Sequence, residues 1–246
     1  MDILSIDINA DVGEGLGNEA YVMPYLSSCS IACGGHAGNI STMTEVVKLA
    51  KQHHVIIGAH PSFPDKTNFG RLIMDINLED LYLSLKEQIL SLKAIATIEG
   101  VEISHVKPHG ALYNLVAKDK ATATTVLEVV KDIDPALKVY APYNSKIDEL
   151  AKPQNLEIIY EGFADRNYNN DLSLVSRGLK NALLVEKEAV LAHVISMIKD
   201  GKVRTIDSVE VPIVASTFCV HGDTENAIEI LRFLNEELPK HGIEIR

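Results

Sequence analysis

The sequence predicts an α/β protein with parallel strands, arranged as one β/α barrel. Three observations point there. Seven short apolar runs alternate with amphipathic helical stretches, the rhythm that parallel strands with helical crossovers produce. Nearly every run ends in a polar cluster flanked by glycine or proline, as barrel strands do at the face that carries chemistry. A chain of 246 residues without a Pro/Gly/Ser-rich linker is the usual size of one barrel, so residues 1–246 read as a single domain. A doubly wound open sheet has the same rhythm and is the alternative, because periodicity does not close a barrel.

The first run, Leu4–Asn9, leads into Ala10-Asp11-Val12-Gly13-Glu14-Gly15. Alternation sets Asp7, Asn9 and Asp11 on one face and Ile6, Ile8 and Ala10 on the other. Helices cover the outside of a barrel, so the apolar set faces out and the acids face in. The second run, Ser28–Ala32, ends in Cys33-Gly34-Gly35-His36-Ala37-Gly38-Asn39, and Thr42-x-x-Glu45 reads as a capping box for the helix after it. The third, Val55–Ala59, ends in His60-Pro61, followed by a long loop over 62–77. Asn77 then caps the longest helix, whose stripe is Leu78, Leu81, Leu85, Ile89, Leu92 and Ala96 and whose end is Gly100. The fourth run, Ser104–Lys107, continues through Pro108 to His109, with His105, Lys107 and His109 on one face. Helices over 119–132 and 145–152 flank the fifth run, Leu137–Ala141. The sixth, Leu156–Glu161, feeds a second long loop over 163–181. A helix over 186–200 precedes the seventh, Pro212–Val220, which ends in His221-Gly222-Asp223 before a helix over 224–238. Long loops in compact domains are often functional.

Composition narrows the function. Asp plus Glu outnumber Lys plus Arg, 34 to 23, for a net charge of −11. That surplus argues against a nucleic-acid binder, which needs a basic face, and against electrostatic adhesion to anionic membrane. The N-terminus has no basic region of a signal peptide, and the longest uncharged stretch, Ala20 to Thr44, is too polar to span a bilayer. Cys29, Cys33 and Cys219 are odd in number and lack a zinc-knuckle spacing, so they read as buried reduced thiols. A soluble cytoplasmic protein is expected.

Five of the nine histidines, His36, His60, His105, His109 and His221, lie on or just after strands; His53, His54, His193 and His241 read as surface or packing residues. Inward acids and an inward Lys107 are costly unless they meet each other, a metal or an anionic ligand. Arg71, Arg166 and Arg177 sit in loops, where each can grip a carboxylate or phosphate or stand as a surface charge. Asp223 is placed either to join them or to cap the last helix. There is no Gly-x4-Gly-Lys-Ser/Thr phosphate loop, Gly-x-Ser-x-Gly elbow or His-Glu-x-x-His, and Gly13-x-Gly15-x-Gly17 lacks dinucleotide spacing.

These motifs resemble the LamB/YcsF family, understood as the A subunit of the prokaryotic ATP-dependent 5-oxoprolinase. The resemblance rests on Asp7–Gly17, Ser30–Gly38, Ile57–Asp65, Phe69–Arg71, Val106–Asn114, Glu161–Arg166, Leu174–Arg177 and Cys219–Thr224, in the family's order nearly end to end. Departures include Gly35 where Phe is common, Ala10 for Cys, Asn39-Ile40 for Asp-Pro, Leu72 for a second Arg, and Glu225 for Pro. The resemblance implies a seven-stranded barrel akin to the polysaccharide deacetylases. It also implies opening of 5-oxo-L-proline to L-glutamate with cleavage of ATP, which would come with magnesium, in a complex with the B and C subunits.

For that chemistry Asp11 or Glu14 is expected as base or metal-side carboxylate, Lys107 and Arg166 as stabilisers of anionic oxygens and His109 as acid/base. Arg71, Arg166, Arg177, His221 and Asp223 are expected around substrate or phosphate. Asp11, His36 and His60 are expected to hold a divalent cation, a donor set suited to one. Two other readings stay open: a metal-dependent amide or N-acetyl hydrolase needing no ATP, and a non-catalytic binding protein of the complex.

Overall fold

The structure, a computed structural model, describes residues 4–246. Seven parallel strands close into a barrel: β1 (Leu4–Val12), β2 (Ser28–Ala32), β3 (Ile56–His60), β4 (Ile103–Val106), β5 (Lys138–Ala141), β6 (Ile158–Phe163) and β7 (Thr217–Cys219). Closure depends on the length of β1. Its upper half pairs with β2 from Asn9↔Ser28 to Val12↔Ile31, and its middle pairs with β7 from Asp7↔Thr217 to Asn9↔Cys219. Below that, a C-terminal strand, β8 (Ile243–Ile245), continues beside Leu4–Ile6. The open-sheet alternative is thereby excluded.

The helices between strands are α1 (Ile40–Gln52), α2 (Leu78–Ile98), α3 (Gly110–Val116), α4 (Lys120–Ile133), α5 (Lys146–Ala151), α6 (Lys187–Ile195) and α7 (Ala227–Glu237). The outward residues of β1, namely Ile6, Ile8, Ala10 and Val12, are buried beneath this layer. So is the α2 stripe of Leu81, Leu85, Ile89, Leu92 and Ala96, at about 2 kcal/mol per large side chain removed from water. The Asn77 side chain accepts from Asp80 N at 2.9 Å, and Gly100, with φ +71°, ends α2.

Several elements differ from the sequence reading. The cap of α1 is Asn39, whose side chain accepts from Thr42 N at 3.1 Å, while Glu45 accepts from Ser41. An Asn one turn earlier offers a better-placed oxygen than Thr42, so the Thr42–Glu45 box is not used. The run over 212–220 divides: Glu210–Pro212 belongs to a small antiparallel hairpin with Lys202–Arg204, and only Thr217–Cys219 enters the barrel. α3 follows His109 directly, where the Pro and Gly beside it hide a helix start.

One contact shows how tightly the interior is filled. A Cβ on Gly58 would lie 2.2 Å from His105 Nε2. Gly58→Ala should therefore destabilise the protein by about 1–3 kcal/mol in urea denaturation. Part of that loss should vanish in a His105→Ala background; a loss of equal size in both backgrounds would contradict the contact.

Candidate active site at the barrel mouth

A cavity of about 720 Å³ opens at the carboxyl ends of the strands. It is lined by Asp11, Glu14, His60, Arg71, Lys107, His109, Arg166, Arg177, His221 and Asp223, which is every residue expected at the site except His36. His36 lies directly behind, with Nε2 3.0 Å from Glu14 Oε1. β1, β3, β4, the ends of β6 and β7, and the loops after them supply these groups.

The floor is an ion triad. Lys107 Nζ lies 2.9 Å from Asp11 Oδ1 and 2.7 Å from Glu161 Oε1, with Asn9 Oδ1 at 3.4 Å and Cys219 Sγ at 3.3 Å. Asn9 also donates to Glu161 at 3.1 Å and Thr217 at 2.7 Å, which fixes the carboxylate. Burial alone would pull the Lys107 ammonium down, but Asp11, Cys219 and Glu161 outweigh it and hold it well above 10.5. Burial pushes Asp11 up; His60 and Lys107 reverse this and hold it well below 3.8.

One wall is a cluster of imidazoles. His60 Nδ1 bonds the Lys107 carbonyl at 2.8 Å, and His109 Nε2 bonds the Phe69 carbonyl at 2.9 Å. Their other nitrogens, His60 Nε2 and His109 Nδ1, face each other at 3.0 Å. His36 stacks on His109 with centroids 3.6 Å apart. Glu14 Oε1 is 3.3 Å from His109 Nδ1 and 3.8 Å from His60 Nε2. The donor atoms of Glu14, His36, His60 and His109 all lie within 4.8 Å of one another, a set of the kind that can hold a divalent cation. Burial and the charge of His60 press His36 to about 3 and His109 to about 2, so both are neutral imidazoles at pH 7. Burial opposes a charge on His60 as well, but Asp11 at 3.3 Å raises it. Glu14 is raised by burial and by Asp11.

The opposite wall carries an Asp–His pair. Asp165 is fully buried; it accepts from His221 N at 2.9 Å and from the Thr224 hydroxyl, and bonds His221 Nδ1 at 2.9 Å. Burial would raise Asp165, but His221 and these bonds lower it, so it stays ionised. An ionised Asp165 fixes the proton on Nδ1 and leaves Nε2 of His221 as the free nitrogen. Nearby, Arg166 is only 6% exposed and donates to the Val175 carbonyl at 2.7 Å, while its Nε has no partner. Among the described residues no carboxylate lies within ion-pair distance of it. At the rim, Arg71 and Arg177 share Asp223 Oδ2 at 3.0 and 2.7 Å. Asp223 thus clasps three loops together and does not cap α7.

Two inward residues of the sequence pattern lie below the mouth, and neither lines the cavity. His105 is two residues, about 6.6 Å, deeper than Lys107 on β4, and Asp7 is four residues deeper than Asp11 on β1. His105 is bonded to Ser30 and Ser104 and stacked on Tyr140, and burial presses it to about 3. Asp7 accepts from Ser28 and Thr217, and burial raises it. Conversely, Glu161, Asp165 and Tyr113 line or support the cavity without standing among the expected site residues. Glu161 and Asp165 belong to the strand-end cluster of β6, which is the available signal; Tyr113, on the unforeseen α3, lies within the Val106–Asn114 stretch, but its spacing does not mark it.

The Gly35 departure is matched locally. A Cβ there would lie 2.4 Å from both Gln88 Oε1 and Ser62 Oγ, and Gln88 bonds the backbone N and O of Ser62 at 3.0 Å each. The loop after β3, whose Phe69 carbonyl orients His109, is anchored by this bridge.

A parallel barrel with an acid-and-imidazole pocket at its carboxyl face defines a class of small-molecule active-site barrels. The LamB/YcsF family profile matches residues 6–246, and the chain belongs to that family. It is 44% identical to the 5-oxoprolinase A subunit of Shouchella clausii over 98% of both chains, and 42% identical to that of Acinetobacter baumannii over 98% of this chain and 97% of the relative. The crystal structure of the lactam utilization protein from Thermus thermophilus superposes with a TM-score of 0.92, 35% identity and 99% coverage of both chains. No described helix is long and apolar enough to cross a membrane.

The triad yields a signed pH prediction. A carboxylate held below its ordinary value, as Asp11 is, contributes stability above about pH 4 that is lost as pH falls through the folded value. Lys107→Met removes that contribution and leaves buried carboxylates unpaired. It should cost about 3–5 kcal/mol at pH 7 by chemical denaturation, with the gap from wild type narrowing as pH falls below about 4. A gap that stays constant with pH would contradict the pairing.

Proposed function

We propose that this chain is the lactam-opening member of an ATP-dependent 5-oxoprolinase, which converts 5-oxo-L-proline to L-glutamate together with the B and C subunits. The relatives' names support the substrate. The observation that carries the reading is Arg166: a buried cation with a free Nε, beside an acid/base pair and without a carboxylate partner among the described residues, suits the carboxylate of a small acidic lactam.

A lactam is an unactivated amide with a poor leaving group. Transfer of the γ-phosphoryl of ATP to its oxygen makes the ring carbon electrophilic; water adds there, the C–N bond breaks to release the amine, and the acyl phosphate hydrolyses to glutamate and phosphate. Lys107 faces the anionic oxygens. Glu14, raised in pKa, is the better base for water, because Asp11 is held ionised by Lys107. His109, neutral and bonded through both nitrogens, yields the acid/base role to His221, which Asp165 orients for protonating the leaving nitrogen. Arg71 and Arg177 suit the phosphoryl group, in exchange with Asp223. The cavity has five basic side chains against five carboxylates, no cationic surplus for a triphosphate, which supports ATP with its magnesium binding largely on a partner.

The decisive assay mixes this chain with the B and C subunits and measures glutamate from 5-oxoproline with and without ATP. Release that needs all components is expected; no release in any combination would overturn the reading. Release by this chain alone without ATP would favour the amide-hydrolase reading that the imidazole cluster supports. In the active complex Asp165→Asn should lower kcat by about 10²–10⁴-fold and shift the pH profile. Arg166→Met should raise KM by about 10–100-fold, the loss of a charged hydrogen bond. A KM unchanged in that variant would remove Arg166 from substrate binding.

A further inference from the structure

We infer that His36 Nε2, His60 Nε2, His109 Nδ1 and Glu14 Oε1 form a four-coordinate site for a divalent metal of the zinc class. The inference deepens the reading of the same mouth, but it stands on geometry that does not depend on the lactam. The starting point is the pair of backbone carbonyls. Lys107 O accepts from His60 Nδ1, and Phe69 O accepts from His109 Nε2. A carbonyl only accepts, so both bonded nitrogens carry hydrogens. With both rings neutral this leaves lone pairs on His60 Nε2 and His109 Nδ1, which face each other across 3.0 Å; the alternative is a proton on His60 Nε2, which Asp11 Oδ2 at 3.3 Å favours. Two lone pairs in that position need a proton or a metal ion between them. A single proton would serve that pair alone, whereas Glu14 Oε1 and His36 Nε2 both stand within 4.8 Å of the two nitrogens.

The spacing selects which cation. Zinc–nitrogen bonds of about 2.0–2.1 Å in a tetrahedron set its ligand atoms about 3.3–3.4 Å apart. Four of the six edges are 3.0 Å (His36–Glu14), 3.3 Å (His109–Glu14), 3.0 Å (His60–His109) and 3.8 Å (His60–Glu14), and the two from His36 to His60 and His109 are within 4.8 Å. Three imidazoles and one carboxylate suit zinc and its transition-metal neighbours over magnesium or calcium, which prefer all-oxygen shells. Two rings donate to carbonyls, as metal-ligating histidines do; the third, His36, packs against His109 and Phe69, and its buried Nδ1 has no partner. Gly70, at φ +60°, packs against His36 and His109, where a Cβ would lie 3.0 Å from each.

Asp11, expected among the ligands from the sequence, stands beside this set: its Oδ1 is engaged by Lys107 and its Oδ2 lies 3.3 Å from His60 Nε2. The neighbouring group of Asp11, Cys219 and His221 already has its cation, because the Lys107 ammonium sits 2.9 Å from Asp11 and 3.3 Å from Cys219 and Asp165 holds His221 Nδ1.

The test uses metal alone. Chelator-stripped protein is titrated with Zn²⁺ by calorimetry, and separately with Co²⁺ while visible spectra are recorded. About one equivalent should bind, with the d–d bands of four-coordinate cobalt and a rise in Tm. His109→Ala should weaken binding by more than about 100-fold, and Glu14→Gln should weaken it and alter the cobalt bands. His221→Ala should bind within a few-fold of wild type. Circular dichroism shows that each stripped variant is folded. Absence of a bound equivalent, six-coordinate cobalt spectra, or loss on His221→Ala with retention in His109→Ala would overturn the site. A failure here leaves lactam opening untouched, while tight binding without glutamate release from the complex would leave the metal site and remove the lactam reading.

Discussion

A primary amine inside a barrel persists only where its charge is matched, and Lys107 sets that condition for the whole mouth. Its ammonium meets Asp11 from β1 and Glu161 from β6, and Asn9, itself bonded to Thr217, holds Glu161 in place. Strands far apart in sequence are thereby bound to one charge. Removing two or three ions from water costs several kcal/mol each before pairing, so this arrangement is a poor way to gain stability alone. Its placement at the carboxyl ends of the strands, open to a cavity, fits a chemical role.

Around that floor the two walls differ in a useful way. The imidazole wall is fixed by backbone carbonyls and by the loop after β3, which Gln88 ties down through Ser62. On the opposite wall Asp165 bonds one nitrogen of His221 and leaves the other free. Between the walls, Arg166 is a cation that no carboxylate of the described residues claims, and the Arg71–Asp223–Arg177 clasp holds two more that share one. On the proposed readings, anion binding falls to these arginines and proton transfer to His221 and Glu14, and Glu14 also belongs to the imidazole cluster.

Much of this is legible from period and position. Alternation along Asp7–Asp11 and His105–His109 separates inward polar residues from outward apolar ones, because side chains on a strand alternate whatever the fold closure. Alternation does not report depth, which is why Asp7 and His105 share the inward pattern yet lie below the mouth. It does not report partners across the barrel either, so Glu161 carries no mark of completing the ion triad. Asp165 is obscure for a similar reason: its role is set by a contact with a residue 56 positions away. Asn39 takes the cap expected of Thr42 through a choice between neighbouring oxygens that spacing alone does not decide.

The central claim, that matched charge at Lys107 organises the mouth, is most directly tested by NMR of protein carrying ¹⁵N-labelled lysine, with the Lys107 Nζ resonance followed through a pH titration. A slowly exchanging ammonium that holds its proton beyond the ordinary lysine value of 10.5 is expected. A Lys107 that is a neutral amine at or below that value would contradict it.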